Sequence, residues 1–146
     1  MQMFSKACEY AIRATIYVAR QSQEGLRASL VDISNETDSP VAFTSKILQQ
    51  LVKAGIIYST RGQTGGFYME ASKIESISMA EIVSAFDGDS IYTHCGLGLK
   101  ECSVAEPCPV HDKFIEIRKN LRSVLESTTV SAMSASLKNG LTYLKR

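Results

Sequence analysis

The segment SPVAFTSKILQQLVKAGIIYSTRGQTGGFYM, which runs from Ser39 to Met69, predicts a helix followed directly by a β-hairpin. Ser39 and Pro40 indicate the start of the helix, because serine can accept hydrogen bonds from the free amides of the first turn and proline fits the first helical position. The helix is expected to stop at Gly55. From residue 56 onward, β-branched and aromatic residues stand on both sides of a glycine-rich turn, which is the pattern of a hairpin.

Two further helices are predicted before this segment. Residues 5–20 repeat apolar residues at steps of three and four, as the buried face of a helix does. Ser29 followed by Asp32 resembles a capping box and predicts the start of a second, short helix. That short helix, a tight turn around Thr37 and Asp38, and the longer helix after it have the layout of a helix-turn-helix, and the hairpin would be its wing.

The helix and the hairpin tip carry the candidate DNA contacts. No Asp or Glu occurs from Ser39 to Met69, and an acid-free surface suits phosphate groups. Residues near the start of a groove-bound helix read base edges, lysines contact phosphate, and an arginine at a narrow tip suits the minor groove. The candidates are Ala42, Ser45, Lys46, Gln49 and Lys53 on the helix, and Arg61, Gln63 and Thr64 at the tip. For any one of the helix residues, the alternative is that it faces solvent and contacts no DNA.

The opposite side of this helix is expected to face the core. Its predicted buried stripe consists of Phe43, Ile47, Leu48 and Leu51. Thr44 is assigned, with the polar residues, to the outer faces. A helix with one apolar stripe packs that stripe on its neighbours and leaves the other faces to solvent or to a ligand.

Length and composition bound the remaining choices. A chain of 146 residues with 45% hydrophobic residues is expected to form one domain, or one small domain with an appendage. No signal-peptide pattern or long apolar run occurs, so we expect a cytoplasmic protein. No phosphate loop, paired carboxylates or Ser/His/Asp pattern is recognisable, so we expect no enzyme. In a reducing compartment, clustered cysteines favour metal binding or redox sensing over disulfides.

Such a cluster lies in CGLGLKECSVAEPCPVH, from Cys95 to His111, which holds three of the four cysteines and one of the two histidines. Its glycines and prolines oppose a long helix, so the backbone is expected to be irregular and the side chains can converge. Thiolates are the preferred ligands of iron–sulfur clusters. Cys95, Cys102 and Cys108 are therefore candidate cluster ligands. Cys8, on the first helix, is expected to be a small buried hydrophobe.

The second half of the chain is expected to contain more helices. Ser78 and Glu81 form a capping box, and the helix they open is expected to end at the turn of residues 87–89. Residues 112–128 predict a long helix whose apolar stripe a second copy of the chain would cover, which predicts a homodimer. A short helix and a loosely held end are expected after it. The predicted fold class is mainly α with a small β-hairpin: a winged helix-turn-helix in residues 1–88, a cysteine-rich loop in 89–111, and a dimerisation helix and tail in 112–146.

Several stretches resemble the IscR/NsrR family of bacterial winged-helix iron–sulfur transcription regulators, over almost the whole chain. They are SKACEYAIRA (5–14), SKILQQLVKAGII (45–57), RGQTGGFYM (61–69), ISMAEIVSAFDG (77–88) and the cysteine trio. The resemblance implies a dimeric, cytoplasmic regulator of double-stranded operator DNA, often a repressor, with a [2Fe-2S] or [4Fe-4S] cluster that senses redox state, nitric oxide or iron–sulfur status. It also implies His111 as the fourth ligand, with Glu9 of the partner subunit as the alternative. Six residues separate Cys95 from Cys102, one more than in familiar members.

Other functions remain open for the same residues. A structural zinc ion would accept the same three cysteines and His111, because Cys3His is a common tetrahedral set. A cysteine-thiol redox switch without any metal is a further alternative. A thiol enzyme activated by His111 and a pure protein-interaction module are the remaining rivals. We expect cluster binding to order the loop, link it to the first helix of the partner, and set the distance between the two recognition helices.

Overall fold

The computed structural model describes residues 2–145, and the two terminal residues, Met1 and Arg146, lie outside that range. Within the described range the chain forms eight helices and one two-stranded sheet. The helices are α1 (Lys6–Gln23), α2 (Leu30–Thr37), α3 (Val41–Lys53), α4 (Ala71–Ser76), α5 (Met79–Asp87), α6 (Ser90–Thr93), α7 (His111–Ser127) and α8 (Val130–Lys138), and the strands are β1 (Tyr58–Thr60) and β2 (Gly66–Tyr68). The predicted class is confirmed: a mainly α winged helix-turn-helix with one small hairpin.

Helix α1 is the centre of the core. It packs against α2, α3, α5 and α8, so it is buried on more than the one face that its periodicity predicted. Of the apolar residues that recur at steps of three and four, Ala11, Ala14 and Val18 are buried, whereas Tyr10 and Tyr17 are only half-buried. A helix with neighbours on several sides buries residues all round, which a single apolar stripe does not reveal.

The side chain of Ser29 caps α2 by accepting a hydrogen bond from the amide of Asp32, as predicted. The prediction that Ser39 caps α3 is wrong: Pro40 occupies the cap position, no side chain caps the helix, and α3 begins at Val41. Ser39 is instead buried, and its hydroxyl contacts the side chains that end α2 and begin α3. That contact takes the hydroxyl away from the free amides of α3.

Buried hydroxyl groups join α2 to α3. The Oγ1 atom of Thr37 donates to the carbonyl of Ile33 at 2.8 Å and lies 3.0 Å from the Oγ of Ser39, which in turn contacts the Oγ1 of Thr44. Thr44 also donates to the carbonyl of Pro40 at 2.9 Å. Thr44 is 1% exposed, so its assignment to an outer face is wrong. Its methyl group and its hydrogen bonds make it part of the packing between the two helices.

The wing is tied to the connection between α1 and α2. Strands β1 and β2 are antiparallel, with Tyr58 opposite Tyr68. Ala28, outside both strands, exchanges two backbone hydrogen bonds with Phe67, of 3.0 and 2.8 Å. Gly66 has a φ of 140°, and a Cβ atom there would lie 2.7 Å from the carbonyl oxygen of Ala28. Only glycine therefore fits this position of the wing.

The second half of the chain packs around the same core. The predicted capping box between Ser78 and Glu81 is present at the start of α5. Helices α4 and α6 were not predicted, because each is too short to show a period. Helix α8 packs on α1 and α4, and its cap residue Thr129 forms an isolated bridge with Ser78. None of the helices within residues 2–145 is long and apolar enough to span a bilayer.

Candidate nucleic-acid interface and cysteine loop

The predicted base-reading face of α3 is a continuous polar surface. Ala42, Lys46, Gln49 and Lys53 are exposed and follow one another at steps of three and four, which places them on one side of the helix. Ser45 is half-buried, and its hydroxyl accepts a hydrogen bond from Nε2 of Gln49 at 3.3 Å. The structure thus brings the five predicted helix contacts together on one accessible face.

The inner side of α3 fixes how that face is presented. Ile47, Leu48 and Leu51 are buried as predicted, and half-buried Phe43 packs edge-to-face on Tyr10 of α1, with ring centroids 5.5 Å apart. On the flank, Nε2 of Gln50 donates to the carbonyl of Ala85 in α5 at 2.9 Å. Because α3 is held from both α1 and α5, its outer face has a defined orientation relative to the core.

The tip of the wing carries the other three predicted DNA contacts. Arg61, Gln63 and Thr64 are all exposed and lie between the two strands. The amide of Gly65 donates to the carbonyl of Gly62 at 3.0 Å, which closes the turn. Arg61 directly follows β1, so its side chain starts where the strand leaves the sheet.

Arg27 is a cation beside the wing that sequence reasoning missed. Its guanidinium lies 4.3 Å from the ring centroid of Tyr68, and its Nη1 donates to the Oγ1 of Thr60 at 3.1 Å. The ring of Tyr68 also stacks on that of Tyr58, at 5.6 Å. Arg27 lies outside the acid-free segment, and only the pairing of Ala28 with the distant Phe67 brings it to the wing. Sequence spacing contains no signal for such a contact.

The cysteine-rich loop lies between α6 and α7. Cys95, Cys102 and Cys108 are half-buried, and all four cysteines are free thiols. The loop has turns rather than regular structure: the amide of Gly98 donates to the carbonyl of Cys95 at 3.0 Å, and the amide of His111 donates to that of Cys108 at 3.1 Å. The expected irregular backbone is therefore present, and its end leads directly into α7.

The sulfur of Cys102 is the meeting point of this loop with α7. It lies 3.4 Å from Nδ1 of His111 and 3.1 Å from Nη2 of Arg118, whose Nη1 donates to the carbonyl of His94 at 2.7 Å. His111 is only 7% exposed. Sequence reasoning missed Arg118, although it stands seven residues after His111 and therefore on the same face of the helix.

Cys95 and Cys102 line one open groove of about 470 Å³, together with His94, Lys100 and Arg118. Hydrogen bonds from the backbone amides of Leu97 and Leu99 lower the pKa of Cys95, and the charge of Arg118 adds to this effect. Cys108 is not among the residues that line the groove.

Cys8 and Glu9 lie on α1, apart from this groove. Cys8 is fully buried, and burial together with the negative charge of Asp87 raises the pKa of its thiol to about 12. Cys8 is thus a small core residue, as expected. Glu9 is half-buried and accepts a hydrogen bond from Nε2 of Gln2 at 2.9 Å.

The donor set of the loop can be tested against the two kinds of metal centre. A structural zinc ion needs four donors around one point. Within residues 2–145, no three His, Cys, Asp or Glu side chains are grouped so that they could hold one metal ion. An iron–sulfur cluster distributes its ligands over more than one iron, and three thiols with an imidazole are donors that such clusters use. The donor types, three thiols and an imidazole, fit a cluster as they also fit a zinc ion, and the positions of the donors within residues 2–145 favour neither centre.

A helix-turn-helix with an exposed polar recognition face and an arginine-tipped wing defines the class of winged-helix DNA-binding proteins. Within that class, the chain belongs to the Rrf2 family, described as an iron-dependent transcriptional regulator, which it matches over residues 4–136. The resemblance of the sequence to IscR-type winged-helix regulators is therefore confirmed. The chain is a transcriptional regulator by family.

Individual relatives and solved structures agree with that placement. The transcriptional regulator IscR of Xenorhabdus nematophila is 30% identical over 133 residues, which cover 91% of this chain and 79% of that protein. The structure of CymR, the global cysteine regulator of B. subtilis, is similar with a TM-score of 0.75 and 23% identity, covering 92% of this chain and 98% of that one. The structure of T. potens IscR is similar with a TM-score of 0.70 and 20% identity, covering 97% of this chain and 92% of that one. The two structures show the fold.

Proposed function

We propose that the chain is a cytoplasmic, homodimeric repressor that binds double-stranded operator DNA, and that an iron–sulfur cluster on the cysteine-rich loop controls its affinity. The observation that carries the proposal is the contact of Cys102 with His111 at the first residue of α7. This contact joins the loop to the helix that would form the dimer interface. A change in the conformation of the loop would therefore also alter the position of the start of α7.

The exposed face of α3 supports the DNA-binding part of the proposal. Its length of 13 residues and its polar surface suit the major groove of a duplex. Lys46 and Lys53 would contact phosphate groups, while Ala42, Ser45 and Gln49 would meet base edges. Arg61 at the wing tip would enter the adjacent minor groove, where the potential is most negative.

Exposed apolar residues on α7 support the homodimer. Ile117 is 57% exposed and Val124 is 58% exposed, and they lie seven residues apart on one face of the helix. Leu121, between them, is half-buried. A contiguous apolar strip on a helix surface is a site of association. A second copy would cover it with the same strip, since two-fold pairing brings identical surfaces together.

Four residues of the loop and α7 would hold the cluster: Cys95, Cys102, Cys108 and His111, with Glu9 of the partner subunit as the alternative to His111. When bound, a cluster supplies a redox-active centre that nitric oxide and oxidants can alter. The chain's own residues would hold the cluster and set the charge around it. Arg118 places a positive charge beside Cys102, which offsets the negative charge of thiolate ligands.

Control of DNA binding would follow from the position of the loop. A loop ordered by its ligands fixes the start of α7 and, through the dimer, the distance between the two copies of α3. The half-sites of an operator lie one helical turn of DNA, or a multiple of it, apart, so affinity depends on that distance. The ligand acts by favouring the spacing that matches the operator.

A cysteine redox switch without a cluster is the second candidate, and the shared groove favours it. Cys95 and Cys102 are free thiols that line one solvent-accessible groove. A peroxide could oxidise the two thiols to a disulfide, with the two electrons reducing the peroxide to water. The loop would then change shape through a covalent bond between its own residues.

The decisive experiment is anaerobic purification followed by an absorbance spectrum, iron and sulfide assays, and DNA binding to duplexes selected from a random pool. We expect a coloured protein with iron and acid-labile sulfide. Cys102→Ala should abolish the visible absorbance and alter DNA affinity, whereas Cys8→Ala, a change in the core, should leave the absorbance intact. A colourless protein with bound zinc would overturn the cluster, and a metal-free protein whose DNA affinity responds to peroxide would establish the second candidate.

A further inference from the structure

A cavity of about 270 Å³ lies between α1, the end of α2 and the C-terminal segment 137–145. It is separate from both the recognition face and the cysteine-rich loop. It is lined by α1 and the end of α2 on one side, and by residue 137 and residues 142–145 on the other. The match to the Rrf2 family ends at residue 136, so one wall of this cavity lies beyond the matched region.

The C-terminal wall is held in place by hydrogen bonds. The amide of Leu141 donates to the carbonyl of Ser136 at 3.0 Å, and the hydroxyls of Ser136 and Thr142 lie 2.8 Å apart. These bonds turn the chain back after α8. Tyr143 and Leu144 then stand against the cavity, although they are 74% and 44% exposed.

The lining of the cavity has an excess of positive charge. Among the described residues that line it, Arg13, Arg20 and Lys145 are cationic, and only Glu36 carries a carboxylate. Within residues 2–145, neither arginine forms an ion pair, because the pair between Arg122 and Glu126 on α7 is the only one present. The guanidinium of Arg13 already lies 4.5 Å from the ring centroid of Tyr10, so Arg20 is the better placed of the two to receive an anion. Arg13 and Arg20 are half-buried, so part of their hydration is already lost. A half-buried guanidinium without a carboxylate is suited to bind an anion from solution.

The remaining walls are apolar or aromatic. Arg13 and Arg20 stand two turns apart on α1, and Ile16 and Tyr17 lie between them on the cavity side. Burial and the charges of Asp32 and Glu36 raise the pKa of Tyr17, so its hydroxyl is a neutral hydrogen-bond donor at physiological pH. Leu137 faces the same space from α8. Cavities that combine apolar walls with a few charged groups are typical of small-molecule sites.

We propose that this cavity binds a small organic anion, whose carboxylate contacts Arg20 and whose apolar part lies against Tyr17 and Leu137. The volume suits a compact molecule of one ring or a short chain. Thr37, which lines the cavity, also belongs to the buried hydroxyl contacts that reach Thr44 of the recognition helix. An anion bound here touches the turn of the helix-turn-helix and is placed to act as an effector.

The test uses benzoate as the probe and benzamide as its neutral match, with the full chain labelled for amide NMR and no DNA present. We expect benzoate to shift the amide signals of Thr37, Leu137 and Thr142 in a saturable way. Benzamide, which has the same ring but no charge, should bind at least about tenfold more weakly, which is the scale of one lost charge-assisted hydrogen bond. Equal binding of the two compounds, or no saturable binding of benzoate, would overturn the proposal.

Two variants separate the cavity from general attraction of anions to a cationic surface. Arg20→Gln should weaken benzoate binding about tenfold or more while leaving the amide spectrum that of a folded protein. Lys138→Gln removes the same charge from the end of α8, at a residue that does not line the cavity, and should leave benzoate affinity unchanged. An equal loss in both variants would mean that the anion is not held in this cavity. Since DNA is absent from the assay, its outcome is independent of the proposed regulatory function.

Discussion

The sulfur of Cys8 and those of the loop cysteines differ in their access to water. Cys8 packs inside the core next to the end of α5, where Asp87 also accepts a hydrogen bond from the amide of Ser5 at 2.8 Å. A thiolate at Cys8 would be desolvated and would face a carboxylate. Both effects disfavour the charged form and raise the pKa of the thiol to about 12. The three loop cysteines are half-buried and open to reagents.

We therefore predict selective alkylation by iodoacetamide. At pH 8, metal-free native protein should take up three labels on Cys95, Cys102 and Cys108, and the label on Cys8 should require guanidinium. Mass spectrometry of the digested protein measures each site. The pKa of the Cys8 thiol is raised from about 9 to about 12. The contribution of this thiol to the free energy of unfolding is therefore present below pH 9 and is lost as the pH rises toward 12. Rapid labelling of Cys8 in the native protein at pH 8 would contradict its placement in the core.

At the scale of single elements, the wing is the one that depends most on distant partners. Its strands have only three residues each, and such a short ribbon is marginal alone. The backbone pairing of Ala28 with Phe67 and the packing of Arg27 on Tyr68 supply the missing support. The tip can therefore present Arg61 while the base stays fixed.

For the wing, we predict that Arg61→Ala weakens DNA binding and lowers the slope of log affinity against log salt by about one, the effect of losing one phosphate-neutralising cation. Lys138→Ala is the matched control, since Lys138 is an exposed cation at the end of α8, a helix that packs on α1 and α4. Fluorescence anisotropy over a range of salt concentrations measures both. An unchanged affinity and slope for Arg61→Ala would show that the wing does not touch DNA.

Sequence reasoning found the features whose interacting residues lie close together in the chain. The caps at Ser29 and Ser78 and the glycine turn of the wing involve residues a few positions apart, and they were predicted correctly. Ser39 and Thr44 were misassigned although they are close in sequence, because a contact between two hydroxyls across the α2–α3 turn follows neither a capping pattern nor the helical period. Arg27 and Arg118 were missed for a different reason: their partners are distant in sequence.

At the scale of the whole molecule, no element within residues 2–145 covers the apolar strip on α7. Leu125 of the same helix is buried against the core, whereas Ile117 and Val124 face away from it. One helix thus has two apolar sides, and the chain covers only one of them. The predicted division into residues 1–88, 89–111 and 112–146 stays a prediction, and α8 packs on α1 at the centre of the core.

We predict that Ile117→Lys separates the proposed homodimer into monomers. A lysine in the buried centre of a two-fold interface would have no partner charge, and the dimer dissociation constant should rise about a hundredfold or more. Sedimentation velocity over a concentration series measures this. Ser72→Lys, which adds the same charge at an exposed position of α4, should leave the dimer unchanged. A wild-type chain that sediments as a monomer, or an unaffected Ile117→Lys dimer, would contradict the assignment of this strip.

The two ends of α7 are held very differently. At its far end, the carbonyl of Thr128 accepts from the amide of Met79 at 2.8 Å, and the amide of Val130 donates to the carbonyl of Ile77 at 2.9 Å. At its near end, side chains around a cysteine sulfur make the attachment. A 17-residue helix is about 25 Å long. The helix therefore acts as a lever whose fixed end is the one held by backbone hydrogen bonds. A tilt of about 5° about that end would move the other end, where Cys102 contacts His111 and Arg118, by about 2 Å.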